Sequence, residues 1–251
     1  MGKTVIIRIK RQENPGAPAR WEEFELTWRP GMNVISAMME IAANPVTRSG
    51  QPTTPIAYDS NCLEEVCGSC AMLINGRARM ACSALVDKLE QPITLEPFKK
   101  FPVVRDLQVD RSVIFENLKR VKAWVPIDGT YDLGAGPRVS PQEQEWEYPL
   151  SRCISCCCCM EACPQFNEHT GFVGAATIAQ VGLFNQHPTG KALKQERLRA
   201  LMERPLIIDG RNVLSRDVLA TYGFQYVGIG HDAEVPENEF AGARNNGPGK
   251  V

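Results

Sequence analysis

The chain has 251 residues, of which 43% are hydrophobic and 23% are charged, and its formal net charge is -1. A chain of this length and composition can bury one or two ordinary cores, which excludes a wholly disordered protein. Because basic and acidic residues nearly balance and no long basic run occurs, the composition also argues against a nucleic-acid-binding surface.

Residues 1–105 predict a small domain in which an antiparallel sheet packs on one helix. Strand-like alternation and a tight turn support the sheet, and helical spacing that ends at a proline supports the helix. The segments are TVIIRI at 4–9, EFELTW at 23–28, VISAMMEIAAN at 34–44, AMLI at 71–74, the Asn75-Gly76 turn and the short strands up to residue 97. The amino terminus has no apolar stretch followed by a cleavage site, which favours a cytosolic protein.

The next hundred residues predict a second, helical domain. Apolar residues from Ile114 to Val125 recur at helical intervals, with Asp110 available as the N-terminal cap, and the segments 172–184 and 192–202 also have helical patterns. Between them, residues 126–142 are rich in glycine and proline and predict a long loop. The longest uncharged stretch, 169–190, contains polar residues and proline, which favours buried helices over a membrane span.

Ten cysteines fall into two groups, and the first group consists of Cys62, Cys67, Cys70 and Cys82. Its spacing is that of a plant-type ferredoxin, in which four thiolates hold a 2Fe-2S cluster. Gly68 would let backbone N–H groups approach the cluster sulfurs. Two disulfides or a zinc site are the alternatives, but a reducing compartment disfavours disulfides, and zinc usually pairs one CxxC with another.

The second group reads Cys153-x2-Cys156-x2-Cys159-x3-Cys163-Pro164. This is the bacterial ferredoxin run, whose fourth cysteine ordinarily ligates another cluster. Cys157 and Cys158 are extra, and we predict that they are bystanders because side chains adjacent to a ligand point elsewhere. A metallothionein-like knot is the alternative.

The chain resembles the iron-sulfur subunit of succinate dehydrogenase and fumarate reductase over residues 1–203. The segments that carry the resemblance are DSNCLEEVCGSCAMLINGRARMAC, RDLQVDRSVIFENLKRVKAWVPIDGTYDLG, CISCCCCMEACPQFN and LFNQHPTG. It implies an α+β protein in which a plant-type ferredoxin-like (β-grasp) domain, residues 1–105, precedes a helical bacterial-ferredoxin-like domain, residues 106–203.

The resemblance also implies a function. In that family electrons pass from an FAD-containing flavoprotein subunit through 2Fe-2S, 4Fe-4S and 3Fe-4S clusters to quinone at a cytochrome b membrane anchor. The chain would then lie peripherally on the cytoplasmic face of the cell membrane and would carry no catalytic residue. The implied ligands are Cys62, Cys67, Cys70 and Cys82 for 2Fe-2S, Cys153, Cys156 and Cys159 for 4Fe-4S, and Cys163 for 3Fe-4S.

The carboxyl-terminal part departs from the family. Family members have a second cysteine motif that completes the 4Fe-4S and 3Fe-4S clusters, whereas this sequence has no cysteine after Cys163. We therefore expect the 106–203 domain to be incomplete. Residues 204–230 resemble the carboxyl-terminal strand and helix of UDP-glucose-type nucleotide-sugar dehydrogenases, which predicts an unrelated tail over 204–251 that is disordered after Gly230.

Two other functions follow from this departure. The first is a non-catalytic metal-binding fusion protein that retains only the 2Fe-2S cluster. The second, a nucleotide-sugar enzyme, is opposed by the sequence, which contains no GxGxxG dinucleotide-binding motif.

Overall fold

The computed structural model describes residues 3–126 and 138–229. The chain divides into two compact units, residues 1–201 and 202–251. The first unit combines a mixed sheet with helices, which is the α+β architecture that the sequence predicted, and it contains both cysteine groups.

A five-stranded sheet with one covering helix opens the first unit. Its elements are β1 (Thr4–Arg11), β2 (Arg20–Thr27), α1 (Val34–Ala43), β3 (Ala71–Ile74), β4 (Arg77–Met80) and β5 (Ile93–Glu96). The strand order is β2-β1-β5-β3-β4, with β1 and β5 parallel and the other pairs antiparallel. The predicted all-antiparallel sheet is therefore wrong at one pair, because the chain crosses over from β1 to β5 instead of returning by a hairpin.

The helix α1 contributes to the core and to the first cysteine group. Its buried residues are Val34, Ile35, Ala37, Met38 and Ile41, which form one core with the buried residues of the sheet. The Asn33 side chain caps the helix, accepting the Ser36 N–H at 2.8 Å. The same side chain donates to the carbonyl of Cys82 at 2.9 Å, so the cap also fixes the backbone at a predicted ligand.

A buried ion pair joins β1 to the turn between two short strands, β6 (Val103–Arg105) and β7 (Gln108–Val109). Arg11 Nε lies 3.0 Å from Asp106 Oδ1, and both side chains are 1% exposed. The Asp106 carboxylate also accepts the backbone N–H groups of Gln12 and Ala57, at 3.0 and 2.9 Å. These bonds offset the desolvation of the carboxylate and hold the loop that precedes the first cysteine group.

Helices form the rest of the first unit: α2 (Ser112–Arg120), α3 (Pro141–Ser151), α4 (Cys158–Ala162), α5 (Ala175–Gln186) and α6 (Lys194–Leu201). The predicted helices at 172–184 and 192–202 correspond to α5 and α6. The first predicted helix is shorter than expected and ends before Val125, while Asp110 accepts the N–H of Ser112 at 2.8 Å near its start. In the parts that the structure describes, no helix is both long and apolar enough to cross a bilayer.

The helix α3 was not predicted. It begins inside the segment expected to be a loop, where Ser140 and Glu143 form a reciprocal capping box, and it contains Pro149. Prolines at both ends and its polar composition conceal the helical pattern. Residues 127–137 of the predicted loop lie outside the described residues.

The second unit contains β8 (Leu206–Asp209), α7 (Arg216–Thr221) and β9 (Gln225–Gly228), with β8 and β9 paired in parallel. The Asp209 carboxylate accepts the N–H groups of Arg211 and Leu214 at 3.0 and 2.8 Å, and the Tyr226 hydroxyl at 3.2 Å. These bonds hold the turn after β8. The segment after Gly230, predicted to be disordered, lies outside the described residues.

Candidate iron-sulfur sites

The β3–β4 hairpin brings the fourth cysteine of the first group to the other three. Cys70 immediately precedes β3, and Cys82 follows β4 by two residues. Because Ala71 pairs with Met80 and the Ala81 N–H donates to the Cys70 carbonyl at 3.1 Å, the two cysteines meet at the open end of the hairpin. The tight turn that the sequence predicted thus explains how a distant cysteine joins a local motif.

The first cysteine loop, residues 62–70, has the backbone of a sulfur-binding loop. Leu63, Glu65 and Gly68 have φ values of 62°, 63° and 78°, which is unusual for residues other than glycine. Next to these residues, the backbone N–H groups of Glu64 and Val66 both donate to Cys62 Sγ, with N···S distances of 3.4 Å. Backbone N–H groups directed at thiolates are what an iron-sulfur cluster requires around its ligands.

The four thiols of the first group form two pairs. The Cys62 backbone N–H, together with the hydroxyl and N–H of Ser69 and the Cys62 thiol, lowers the pKa of Cys67 to about 6. Burial, together with the hydrogen bond that Cys82 donates to Cys70, raises the pKa of Cys82 to about 11. Four thiolates arranged as two pairs fit a cluster of two irons.

The second cysteine loop, residues 153–159, contains Cys153, Cys156 and Cys159. Burial raises the pKa of Cys159, and the nearby charges of Cys156 and Cys153 raise it further. The loop turns through Ser155 and Cys157, whose φ values are 53° and 67°. The three cysteines predicted to hold the 4Fe-4S cluster lie in this loop, and their role as ligands stays a prediction.

Each of the two extra cysteines has a contact within the same loop. Cys157 is buried, which raises the pKa of its thiol to about 12, and its Sγ lies 3.6 Å from the Ser155 carbonyl oxygen. The thiol of Cys158 donates to Cys156, and this bond is the largest cause lowering the pKa of Cys156 to about 6. In the described residues, no three cysteine, histidine or carboxylate side chains are arranged around a single metal ion.

Cys163 is the C-terminal cap residue of α4, and its backbone N–H donates to the Met160 carbonyl at 3.3 Å. The carboxylate of Glu161 accepts the backbone N–H groups of Lys99 and Lys100, at 3.0 and 3.1 Å. The Lys100 ammonium in turn donates to the carbonyls of Met160 and Cys163. This clamp holds α4 against the segment after β5. Sequence reasoning missed it because Lys100 and Glu161 are 61 residues apart and no local pattern links them.

The two cysteine loops are in backbone contact. A Cβ atom on Gly68 would lie 2.5 Å from the carbonyl oxygen of Ile154 and 3.2 Å from the Cα of Cys156. The sequence indicated Gly68 as a residue that admits N–H groups to the cluster, but its second role, as the point where the loops meet, could not be read from the spacing. The contact places the two predicted centres next to one another.

Arg111 is a further residue that sequence reasoning missed. One guanidinium nitrogen donates to the Gly68 carbonyl at 2.7 Å, and another donates to the carbonyls of Ser69 and Ala71 at 2.7 and 3.3 Å. The guanidinium also lies 5.9 Å from the centre of the Phe98 ring. In the sequence Arg111 stands beside a capping aspartate, where an arginine gives no signal of this role.

Comparison with known proteins agrees with this geometry. A model of the 2Fe-2S iron-sulfur cluster binding domain matches residues 6–116. The succinate dehydrogenase iron-sulfur subunit of Bacillus subtilis is 56% identical over 210 residues, which cover 84% of this chain and 83% of the relative. The chain belongs to this family of iron-sulfur subunits. The fumarate reductase iron-sulfur subunit of Wolinella succinogenes is 31% identical over 193 residues, covering 75% of this chain and 78% of the relative.

A solved structure confirms the fold of this family member. The match is to a chain in the Mycobacterium smegmatis Sdh1 complex in the apo form, with a TM-score of 0.61, 23% identity, and coverage of 78% of this chain and 82% of the other. The predicted family, fold class and role as the electron-transfer subunit of an oxidoreductase are thus confirmed. The individual ligands and the likeness of residues 204–230 to a nucleotide-sugar dehydrogenase stay predictions.

Proposed function

We propose that the chain relays electrons from an FAD-containing flavoprotein subunit to a cytochrome b membrane anchor that binds quinone, and that it lies peripherally on the cytoplasmic face of the membrane through that anchor. Its relatives are named as iron-sulfur subunits of succinate dehydrogenase and fumarate reductase. The observation that carries the proposal is the contact of the two cysteine loops at Gly68, because a relay needs neighbouring centres.

The first centre of the relay is a 2Fe-2S cluster held by Cys62, Cys67, Cys70 and Cys82. A bound cluster of this kind supplies one-electron chemistry. The chain contributes the two pairs of thiols and the backbone N–H groups directed at their sulfurs. Hydrogen bonds to the sulfurs stabilise their negative charge, which favours the reduced state.

The second centre is a 4Fe-4S cluster at Cys153, Cys156 and Cys159, with Cys163 directed to a 3Fe-4S cluster. The sequence supplies only three thiolates to a cluster that takes four, since no cysteine follows Cys163. Iron and acid-labile sulfide should therefore correspond to about one 2Fe-2S cluster and at most a substoichiometric second cluster per chain.

Purification from native membranes tests the relay. The chain should co-purify with a flavoprotein and a haem-containing anchor, and electron paramagnetic resonance of the reduced complex should show the 2Fe-2S signal together with a signal from the second centre. Recovery as a lone monomer, with no flavin in any associated fraction, would contradict the proposal.

The second candidate is a non-catalytic fusion protein that retains only the 2Fe-2S cluster. The absence of cysteine from residues 164–251 favours it. The same resonance experiment separates the two functions, because the fusion protein should give the 2Fe-2S signal alone and should have no redox partners.

A further inference from the structure

The backbone between the first two cysteines of the first loop is held by few side chains. Leu63 and Val66 are 50% and 59% exposed, so neither is enclosed by the core. Within the described part of the chain, the only side chain of residues 63–66 that makes a hydrogen bond is that of Glu65, whose Oε1 accepts the hydroxyl of Ser83 at 2.9 Å. This hydrogen bond is the side-chain tie between the segment and the rest of the first unit.

Ser83 stands on a fixed stretch of backbone. The carbonyls of the residues on either side of it accept the Asn33 side chain at 2.9 Å and the Val34 N–H at 3.0 Å. The Ser83 hydroxyl has a single proton, and its other acceptor, the Met80 carbonyl, lies farther away at 3.4 Å. Because a carboxylate is also a stronger acceptor than a neutral carbonyl, the hydroxyl donates to Glu65.

The tie acts on a strained backbone. Glu65 has a φ of 63°, and a residue with a side chain stays in this left-handed region only when its surroundings hold it there. On either side of it, the N–H groups of Glu64 and Val66 donate to Cys62 Sγ. If Glu65 relaxed to an ordinary conformation, the neighbouring peptide groups would rotate and lose their alignment with the sulfur.

We propose that Glu65 is a positioning residue of the first centre, and that its hydrogen bond with Ser83 keeps the N–H groups of residues 64 and 66 directed at the Cys62 sulfur. A 2Fe-2S cluster becomes more negative when it gains an electron, so N–H groups directed at a ligand sulfur stabilise the reduced state. Loss of the tie should therefore lower the reduction potential. This inference rests on the proposed function, since it requires a 2Fe-2S cluster at the first cysteine group.

The test is a redox titration of the assembled complex, in which electron paramagnetic resonance measures the reduced 2Fe-2S cluster. Ser83→Ala removes the donor without changing any charge, and Ser83→Thr restores a hydroxyl. Ser49→Ala is the matched control, because it removes an exposed hydroxyl that bonds to the Thr47 hydroxyl outside both cysteine loops.

A second pair of variants breaks the tie from the other side and keeps the test available if Ser83→Ala does not fold. Glu65→Ala and Glu65→Gly both remove the carboxylate and its charge, so their difference reports the backbone alone. Glycine adopts the left-handed region freely, whereas alanine does not.

We expect Ser83→Ala to shift the reduction equilibrium of the 2Fe-2S cluster at least threefold toward the oxidised state, which for a one-electron couple is about 28 mV. Ser83→Thr and Ser49→Ala should stay near the wild-type potential, and Glu65→Ala should have a lower potential than Glu65→Gly. A tie that only stabilises the fold would lower the Tm and leave the potential unchanged. An unchanged potential in Ser83→Ala, an equal fall in Ser83→Thr, or equal potentials in the two Glu65 variants would overturn the inference.

The inference and the function on which it rests fail in different ways. A wild-type complex with no 2Fe-2S signal would refute the proposed first centre and, with it, the role of Glu65. A wild-type signal whose potential does not respond to the loss of the tie would refute the inference alone.

Discussion

Replacement of Gly68 by alanine would place a methyl group where the two cysteine loops touch. The new Cβ would lie 2.5 Å from the Ile154 carbonyl oxygen, and since that oxygen and the Cys156 Cα at 3.2 Å both belong to the backbone, neither can rotate away. The loops would have to separate. We expect the variant to lose stability and to disturb the second centre as well as the first.

The magnitude has two parts. Gly68 has a φ of +78°, and an alanine in this left-handed region costs roughly 1–2 kcal/mol. The added methyl group in a closely packed site costs about 1–3 kcal/mol more. The total is about 2–5 kcal/mol, and only the second part belongs to the contact between the loops.

Gly76→Ala is the matched control. Gly76 has a φ of +75°, but a Cβ built there has no neighbour within 4 Å among the described residues outside its own chain neighbours. It therefore carries the backbone cost alone. Thermal unfolding of the cluster-loaded proteins, followed by circular dichroism, should give a Tm for Gly68→Ala that is about 2–12 °C below that of Gly76→Ala. Equal Tm values and unaltered visible spectra in the two variants would show that the loops are not in contact.

Three further predictions concern other parts of the chain. Cys67→Ser should abolish or strongly perturb the 2Fe-2S resonance, because oxygen is a harder ligand than thiolate, whereas Cys157→Ser should change it little; an intact resonance in Cys67→Ser would refute the ligand assignment. Asp106→Ala should lower the free energy of unfolding by about 1–3 kcal/mol, because it leaves buried donors of Arg11, Gln12 and Ala57 without an acceptor while Glu22 still pairs with Arg11 at 2.6 Å; denaturant unfolding measures this loss, and a cost near zero would contradict the role of the carboxylate. The pKa of Asp209 lies below its ordinary value of 3.8, and the largest cause is the hydrogen bond from the N–H of Leu214. The ionised carboxylate therefore stabilises the second unit above pH 3.8, and this stability is lost as the pH falls from 3.8 through the pKa of the folded state. The protection factor of the Leu214 amide, which compares its hydrogen exchange with that of an unprotected amide at the same pH, should fall over that acid range in the wild type and should be lower, without this fall, in Asp209→Asn; equal protection factors in both proteins would contradict the prediction.

The sequence predicted those features that depend on neighbouring residues. The spacing of the cysteines indicated both groups, and the Asn75-Gly76 turn indicated the hairpin that carries Cys82 back to Cys70. The helix α1 also follows from local signals, namely its apolar spacing and the proline after Asn44. In each case the residues that decide the structure lie within a short stretch of chain.

Features that depend on how distant segments meet could not be predicted in this way. Apolar and polar residues alternate along a strand in the same way whether it pairs in parallel or antiparallel. The parallel pairing of β1 with β5 could therefore be recognised only from the complete path of the chain. Arg111 and Gly68 are 43 residues apart, and Lys100 and Glu161 are 61 residues apart. No local pattern links residues at such separations, which is why both contacts appeared only in the structure.

The contact at Gly68 also has a kinetic consequence. Two separate ferredoxins exchange an electron only after they collide, so the rate of exchange depends on their concentrations and on the ionic strength. Here both loops belong to one compact unit, so the folded chain already holds them side by side and no collision is needed. Exchange between the two proposed centres would then be a unimolecular step, so dilution would slow only the steps that involve a separate redox carrier.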